Sequence, residues 1–192
     1  MMARQGKTIR LEAPFSEEKA RELKSGDRVL LRGTVYTLRD AGHKRLVELL
    51  KRGEEPPFPI KDAVLYYVGP SPAKAGRPLG SAGPTTSYRM DPYTPYLIQR
   101  GLRGMIGKGR RGVDVIDSMK QHGAVYFAAI GGAGALISET IRAAEIVAWE
   151  DLGTEALRRL TVVDMPVTVV VDTEGRNLYE EGPAAWLSEH HD

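Results

Sequence analysis

Apolar and polar positions follow two different rhythms along the chain, one typical of strands and one typical of helices. The run 63–68, Ala-Val-Leu-Tyr-Tyr-Val, is continuously apolar, as expected of a strand covered on both faces. Leu46, Leu49 and Leu50 repeat at helical spacing and give one apolar stripe. Such patterns predict strands at 8–11, 28–36, 63–68, 105–106, 124–130, 145–149 and 167–172. They predict helices at 16–23, from 40 to before 53, and at 94–101, 114–121, 136–142 and 155–160.

Turn-forming residues separate these elements. Asp40 is predicted to cap the helix that follows it, and Thr94 to cap the next one, with Pro95 at its first position. Between 69 and 84 nearly every residue is a turn former, and so long a connection inside a compact domain is usually functional or disordered. No linker divides the chain, so we expect one mixed α/β domain over 1–192.

Composition narrows the classes of function. The 192 residues are 42% hydrophobic and 27% charged, which is ordinary for a soluble domain with a real core. A net charge of +2 gives no case for a nucleic-acid or membrane partner, and no apolar run approaches the roughly 20 residues of a membrane span. The sequence has no cysteine, which excludes disulfides and cysteine-bound metal within the chain. The N-terminus lacks the apolar stretch of a signal peptide, so a cytoplasmic location is expected.

The segment 83–91, Gly-Pro-Thr-Thr-Ser-Tyr-Arg-Met-Asp, is the strongest candidate for chemistry. Thr85, Thr86 and Ser87 offer adjacent hydroxyl groups in a turn whose glycine and proline let the backbone approach a ligand. Arg89 presents a planar guanidinium that matches a carboxylate. The alternative is a polar surface turn whose arginine lies in water.

Lys108 provides a second cation, between Gly107 and Gly109 at the end of a short apolar strand. Ligands of α/β sheets usually bind at the carboxyl ends of strands, so this lysine is a candidate ligand contact. The segment lacks the spacing and the following hydroxyl residue of a phosphate-binding loop. Because Arg110 and Arg111 follow, a solvated basic turn is the alternative.

Arg39 provides the third cation, where a predicted strand passes into a helix whose N-terminus carries partial positive charge. His43, one turn into that helix, could hydrogen-bond back to the loop or could be an ordinary surface histidine. The glycine cluster 131–134 resembles a phosphate-binding turn, but close helix–strand packing explains it equally well. Residues 190–192 are terminal, and we assign them no role.

Three cations on separate junctions, with hydroxyl groups between them, suit a small dianion such as a dicarboxylate. The chain also resembles the β subunit, or C-terminal domain, of class I iron–sulfur fumarate hydratases and the related L-tartrate dehydratases. The resemblance covers roughly residues 8–182 and is carried by 39–45 (Arg-Asp-Ala-Gly-His-Lys-Arg), 83–91, 104–109 (Gly-Met-Ile-Gly-Lys-Gly), 131–137, 150–153 and 164–166.

The resemblance implies a swivelling β/β/α domain with a central mixed sheet flanked by helices. It implies that Arg39, Arg89 and Lys108, with Thr86, bind the substrate carboxylates, and that Thr85 is the catalytic base or proton relay. His43 and Asp40 would orient these groups. It also implies a 4Fe-4S cluster held by cysteines of a partner α subunit, with no metal bound by this chain.

By this resemblance the chain is expected to be the β subunit of a class I fumarate hydratase, which hydrates fumarate reversibly to (S)-malate. It should be inactive without its α subunit, with which it would form a heterotetramer, and no nucleic acid or membrane partner is expected. L-Tartrate or mesaconate are alternative substrates, because the same residues would serve any such dicarboxylate. A non-catalytic anion-binding or assembly domain of the same fold is the alternative from another class.

Overall fold

A computed structural model describes residues 7–73, 75–129 and 134–182. The elements in chain order are β1 (Thr8–Ala13), α1 (Glu17–Glu22), β2 (Arg28–Thr37), α2 (Asp40–Lys51), β3 (Val64–Tyr66), a 3-10 helix (Ser87–Met90), α3 (Thr94–Ile98), β4 (Gly104–Gly107), α4 (Val113–His122), β5 (Val125–Ala128), α5 (Gly134–Glu139), β6 (Ile141–Ala148), a second 3-10 helix (Glu150–Glu155) and β7 (Leu157–Val171). None of the helices described is long and apolar enough to cross a membrane.

The seven strands form one mixed sheet that closes on itself. The sheet order is β1-β2-β3-β4-β5-β7-β6, and a further antiparallel pairing joins β2 to β7. One edge of β2 pairs with β1 along its first part and with β3 along its last part. The long strand β7 likewise pairs with β6 and then with β5. Strands β2, β3, β4, β5 and β7 therefore close into a ring of five, with β1 and β6 added outside it.

The direction of the strands decides where a ligand site can form. Strands β1 to β5 run parallel to one another, so their carboxyl ends meet at one edge of the sheet. Arg39 follows β2, the loop to Ser87 follows β3, and Lys108 follows β4. The three cation-bearing junctions predicted from sequence thus share the edge at which α/β proteins bind ligands.

Successive side chains along each strand of the ring point to opposite faces of the sheet, and each face packs into its own hydrophobic core. Tyr66, Ile106 and Phe127 belong to one buried cluster, which also contains the inward residues of β7. Their strand neighbours Leu65, Met105 and Tyr126 face the other way, into a second cluster with residues of α2, α3 and α4. The ring is therefore filled by one core, and a layer of helices covers part of its outer surface with the other.

The mixed α/β class and the seven predicted strands are confirmed, although several boundaries differ. The helix predicted at 155–160 is wrong, because β7 begins at Leu157 and runs for 15 residues. Strand β6 begins at Ile141 and takes the last two residues of the helix predicted at 136–142. These segments have weak local signals, and pairing with β2 and β6 fixes β7 as a strand. The glycine cluster at 131–133 and the terminal residues 190–192 lie outside the described residues.

Both predicted helix caps are displaced by one residue. Arg39, not Asp40, occupies the N-cap position of α2, and Asp40 is the first helical residue. Tyr93, not Thr94, occupies that position in α3, while the Thr94 hydroxyl donates to the Met90 carbonyl at 2.8 Å. Asp40 and Thr94 are each the first residue inside the helix, where the side chain is not placed to cap the helix's own amides.

Candidate functional site

Backbone pairing fixes the two threonines beside Lys108. The Thr85 amide donates to the Tyr67 carbonyl at 2.8 Å, and the Ser87 amide donates to the Lys108 carbonyl at 2.9 Å. The Lys108 amide donates in turn to the Thr85 carbonyl at 3.3 Å, and Thr86 bridges Lys108 in parallel orientation. The hydroxyl-bearing segment thus continues the sheet beyond the end of β4. This local pairing brings Thr85, Thr86 and Lys108 together.

Arg89 lies on the 3-10 helix that follows the threonines, and its guanidinium forms an ion pair with Asp40. The Arg89 side chain is 44% exposed, so it is accessible from solvent while it keeps this partner. The second carboxylate oxygen of Asp40, Oδ1, is buried and has no hydrogen-bond partner among the described residues. Arg89 is therefore exposed, as the alternative of a polar surface turn predicts, and its guanidinium is also held against the start of α2 by Asp40.

Arg39 is held at the N-terminus of α2 by a carboxylate from the second 3-10 helix. Its Nη2 lies 3.4 Å from Glu155 Oε1, and Glu155 Oε2 accepts a hydrogen bond from the Ala41 amide at 3.2 Å. The guanidinium also lies against the backbone of Gly69, where an added Cβ would stand 2.8 Å from Arg39 Nη1. Glu155 therefore supplies the capping interaction that Asp40 was predicted to supply, and it positions Arg39 as well.

His43 is fully buried beneath the site, which contradicts the interpretation as a surface histidine. Its Nδ1 lies 2.9 Å from the Arg39 carbonyl oxygen, and its ring meets the Tyr67 ring edge-to-face at 5.2 Å between centroids. Burial lowers the pKa of His43 to about 4. The imidazole is therefore neutral near pH 7, so Nδ1 donates to the Arg39 carbonyl, and His43 adds no positive charge at this junction.

Lys108 is exposed and forms no ion pair with any residue in the described ranges. Arg110 is also exposed, as the basic-turn alternative predicts. Arg111 is not: its side chain is 0% exposed and pairs with Asp91. A uniformly solvated basic turn is therefore wrong, since the chain turns inward directly after Lys108 and Arg110.

The charges at this edge favour an anion. Arg39, Arg89 and Lys108 carry three positive charges, and Asp40 and Glu155 carry the two negative charges paired with them. The remaining positive charge and the partly buried residues Thr85 and Thr86 suit a carboxylate ligand. The described residues contain no group of histidine, aspartate or glutamate that could hold a metal ion, and the whole sequence has no cysteine.

The sequence of the chain matches one known family over most of its length. The family described as Fumarase C-terminus matches residues 1–182. The chain belongs to the fumarase C-terminus family. Its site residues therefore lie inside a family domain that spans nearly the whole chain.

Proteins similar to this fumarase C-terminus domain include class I fumarate hydratases and a putative L(+)-tartrate dehydratase subunit. The chain is 40% identical over 156 residues to "Fumarate hydratase class I, anaerobic" of Escherichia coli, covering 80% of this chain and 28% of that protein. It is 37% identical over 185 residues to "Fumarate hydratase class I, aerobic" of Salmonella typhimurium, covering 93% of this chain and 32% of that protein. It is also 33% identical over 173 residues to "Putative L(+)-tartrate dehydratase subunit beta" of Methanocaldococcus jannaschii, covering 87% of this chain and 89% of that protein. The chain thus spans about a third or less of the fumarate hydratases that it matches and most of the tartrate dehydratase subunit.

In this fumarase C-terminus domain, sequence reasoning missed three residues that organise the site. Glu155 holds Arg39, and Arg111 with Asp91 lies beneath the loops that carry Arg89 and Lys108. Asp91 ends the motif 83–91 and Arg111 lies two residues after the motif 104–109, but their pairing across 20 residues has no local signal. The sequence predicts Glu155 at the start of a helix over 155–160, whereas it is the last residue of the second 3-10 helix and β7 follows.

Proposed function

We propose that this chain is the β subunit of a class I fumarate hydratase, which hydrates fumarate reversibly to (S)-malate. The observation that carries the proposal is that the segments bearing Arg39, Arg89, Lys108 and Thr85–Thr86 lie at one edge of the sheet. In a member of the fumarase C-terminus family, this set is suited to a dicarboxylate. The chain would contribute substrate binding and proton transfer to an active site shared with a partner.

Substrate binding would use the three cations in different ways. Arg89 and Arg39 already hold carboxylates, those of Asp40 and Glu155, and each can offer its remaining N–H groups to a substrate carboxylate. Lys108 is exposed and can turn its ammonium toward the second carboxylate. Thr86 would add a hydroxyl donor. As negative charge moves onto a carboxylate during removal of a proton from the neighbouring carbon, these fixed cations would stabilise it.

Proton transfer is assigned to Thr85. Its backbone is held on both sides, by the Tyr67 carbonyl and the Lys108 amide, which fixes the main chain from which the hydroxyl projects. A threonine hydroxyl is a weak base, and a carboxylate of the partner chain would have to activate it. His43 and Asp40 would act indirectly, by fixing Arg39 and Arg89.

The proposed enzyme also needs an iron–sulfur cluster, and the residues of this chain do not fit one. It has no cysteine, and its described part contains no metal-binding group. We therefore assign the 4Fe-4S cluster to a cysteine-bearing α subunit and derive no step through it from this chain. A cytoplasmic heterotetramer, and a swivelling movement of this β/β/α domain against the α subunit, complete the proposal.

A second candidate keeps the class of reaction and changes the substrate to L-tartrate. It is favoured by the Methanocaldococcus jannaschii relative, a β subunit of nearly the same extent as this chain. Because the three cations and Thr85 would serve either substrate, mesaconate belongs in the same comparison.

The decisive experiment is co-expression of this chain with an α subunit encoded nearby, followed by anaerobic reconstitution. Hydration of fumarate should exceed turnover of mesaconate and L-tartrate; a preference for L-tartrate would move the assignment to the second candidate. Turnover by this chain alone would contradict the two-chain proposal. An assembled complex inactive on all three substrates would favour the non-catalytic binding module.

Replacing Arg89 with alanine tests the site. The complex should lose at least about 100-fold in activity, because a fixed cation would be removed from the developing charge. Arg52→Ala is the matched control, since Arg52 is an exposed arginine that pairs with Glu54 beyond the end of α2. Wild-type turnover by a folded Arg89→Ala complex would reject the site.

A further inference from the structure

Arg111 lies buried beneath the two loops that carry Arg89 and Lys108. Its Nε donates to Asp91 Oδ1 at 2.7 Å, and its Nη2 donates to Thr94 Oγ1 at 2.8 Å. The side chain is 0% exposed, so it cannot touch a ligand in the site. A charge in such a place is costly unless it is fully paired, and these contacts supply the pairing.

The partners of Arg111 hold the end of the 3-10 helix that carries Arg89. Asp91 follows that helix directly, and its Oδ2 accepts a hydrogen bond from the Gly112 amide at 2.6 Å. The Thr94 hydroxyl donates to the carbonyl of Met90, the last residue of the helix. One carboxylate and one hydroxyl thus join the segment after Lys108 to the segment after Arg89.

Tyr126 makes a second connection between the same two loops. Its hydroxyl lies 2.9 Å from Ser87 Oγ and 2.8 Å from the Gly109 carbonyl oxygen. The Arg111 guanidinium lies 5.1 Å from the centroid of the Tyr126 ring and 5.4 Å from that of the Tyr67 ring. These distances permit cation–π attraction between Arg111 and both rings. Arg111 therefore lies against Tyr126, which bonds to Ser87 and Gly109, and against Tyr67, whose carbonyl accepts from the Thr85 amide.

We propose that Arg111, acting through Asp91, is a positioning residue that sets the spacing between Arg89 and Lys108 and thereby the length of dicarboxylate that the site accepts. The inference rests on the proposed dicarboxylate function. Apolar residues often replace a buried ion pair at little net loss of stability. The contribution of the Arg111–Asp91 pair is therefore to fix the relative positions of the two loops rather than to add stability. A fixed spacing between two cations favours the ligand whose carboxylates match it.

The test compares Arg111→Lys with wild-type full-length chain. Lysine keeps the charge but lacks the planar fork that reaches Asp91 and Thr94 together. Dissociation constants for malonate, succinate and glutarate are measured by NMR titration. Affinity for succinate should fall about tenfold, and the preference for succinate over the shorter and longer acids should narrow. Amide hydrogen exchange at Ser87 and Lys108 should become faster, because the hydrogen bonds from the Ser87 amide to the Lys108 carbonyl and from the Lys108 amide to the Thr85 carbonyl would be less protected.

Arg103→Lys is the matched control. Arg103 is also buried, donates to Asp62 at 3.3 Å and to the carbonyls of His122 and Gly123, and precedes β4 at its opposite end. This variant should lose comparable packing while the preference among the three acids stays unchanged. Should Arg111→Lys fail to fold, Asp91→Asn tests the same contact with almost no change of shape.

Three results would overturn the proposal. The first is a folded Arg111→Lys or Asp91→Asn chain that keeps the wild-type affinity for succinate and the wild-type preference among the three acids. The second is an Arg103→Lys chain that loses as much succinate affinity and preference as Arg111→Lys. The third comes from amide exchange. If the wild-type chain alone binds none of the three acids, the isolated chain does not form a complete dicarboxylate site, and turnover by the reconstituted complex tests the proposed function separately. Amide exchange then decides the positioning role: faster exchange of Ser87 and Lys108 only in the Arg111 or Asp91 variant supports it, and unchanged exchange rejects it.

Discussion

Replacing His43 with asparagine should make the free energy of unfolding of this protein less sensitive to acid pH. His43 is fully buried, and burial lowers its pKa from the ordinary 6.5 to about 4. Arg111 acts in the same direction, whereas the Arg39 carbonyl and Asp40 act in the opposite one. The folded state therefore excludes a proton that the unfolded chain binds as the pH falls through 6.5. Asparagine keeps an N–H donor for the Arg39 carbonyl but does not titrate.

The size of the effect follows from the two pKa values. Because the pKa is lower in the folded state, this contribution to stability is complete above about pH 6.5 and is lost as the pH falls toward 4. The full difference corresponds to about 3 kcal/mol, and the part lost by about pH 5 is about 2 kcal/mol. The cavity and contact changes caused by the substitution do not depend on pH in this range, so they cancel when two pH values are compared.

Urea unfolding of both proteins at pH 8 and pH 5 measures this difference. The free energy of unfolding should fall by about 2 kcal/mol more in wild type than in His43→Asn between the two pH values. His122→Asn, at a partly exposed position of α4, is the control and should follow wild type. Equal losses in wild type and His43→Asn, within about 0.5 kcal/mol, would refute the neutral buried imidazole.

Two further substitutions test the packing and the electrostatics of the site. Gly107→Ala should destabilise the protein by about 1–3 kcal/mol in urea unfolding, because the added methyl group would overlap the Ser87 hydroxyl oxygen. Gly182→Ala should change stability little, because no atom of the described residues lies within 4 Å of the added methyl group. Glu155→Ala should cost about 1 kcal/mol through loss of the α2 cap, and in the assembled enzyme it should raise KM by releasing Arg39. An unchanged KM would remove Arg39 from the substrate contacts.

The candidate site was only partly readable from the sequence. Glycine, proline, hydroxyl and cationic residues at strand ends predicted an anion site at 83–91, because each of these residue types has a local reason to be in such a turn. His43 shows the limit of that reasoning. Its burial depends on α2 packing against Tyr67, which lies directly after β3 and 24 positions further along the chain. The Arg111–Asp91 pair was equally invisible, since it joins segments 20 residues apart.

By itself, the sequence determined the strand–helix alternation, the three cation-bearing junctions and the absence of cysteine-bound metal. Residue types and short-range periodicity act within a few positions, so they are sufficient for these features. Only the tertiary structure decided that β7 is one long strand, that the five-stranded ring closes, and which carboxylate pairs with which arginine. Those outcomes depend on contacts between distant segments: strand pairing overrides weak local preference, and burial determines whether a histidine is charged.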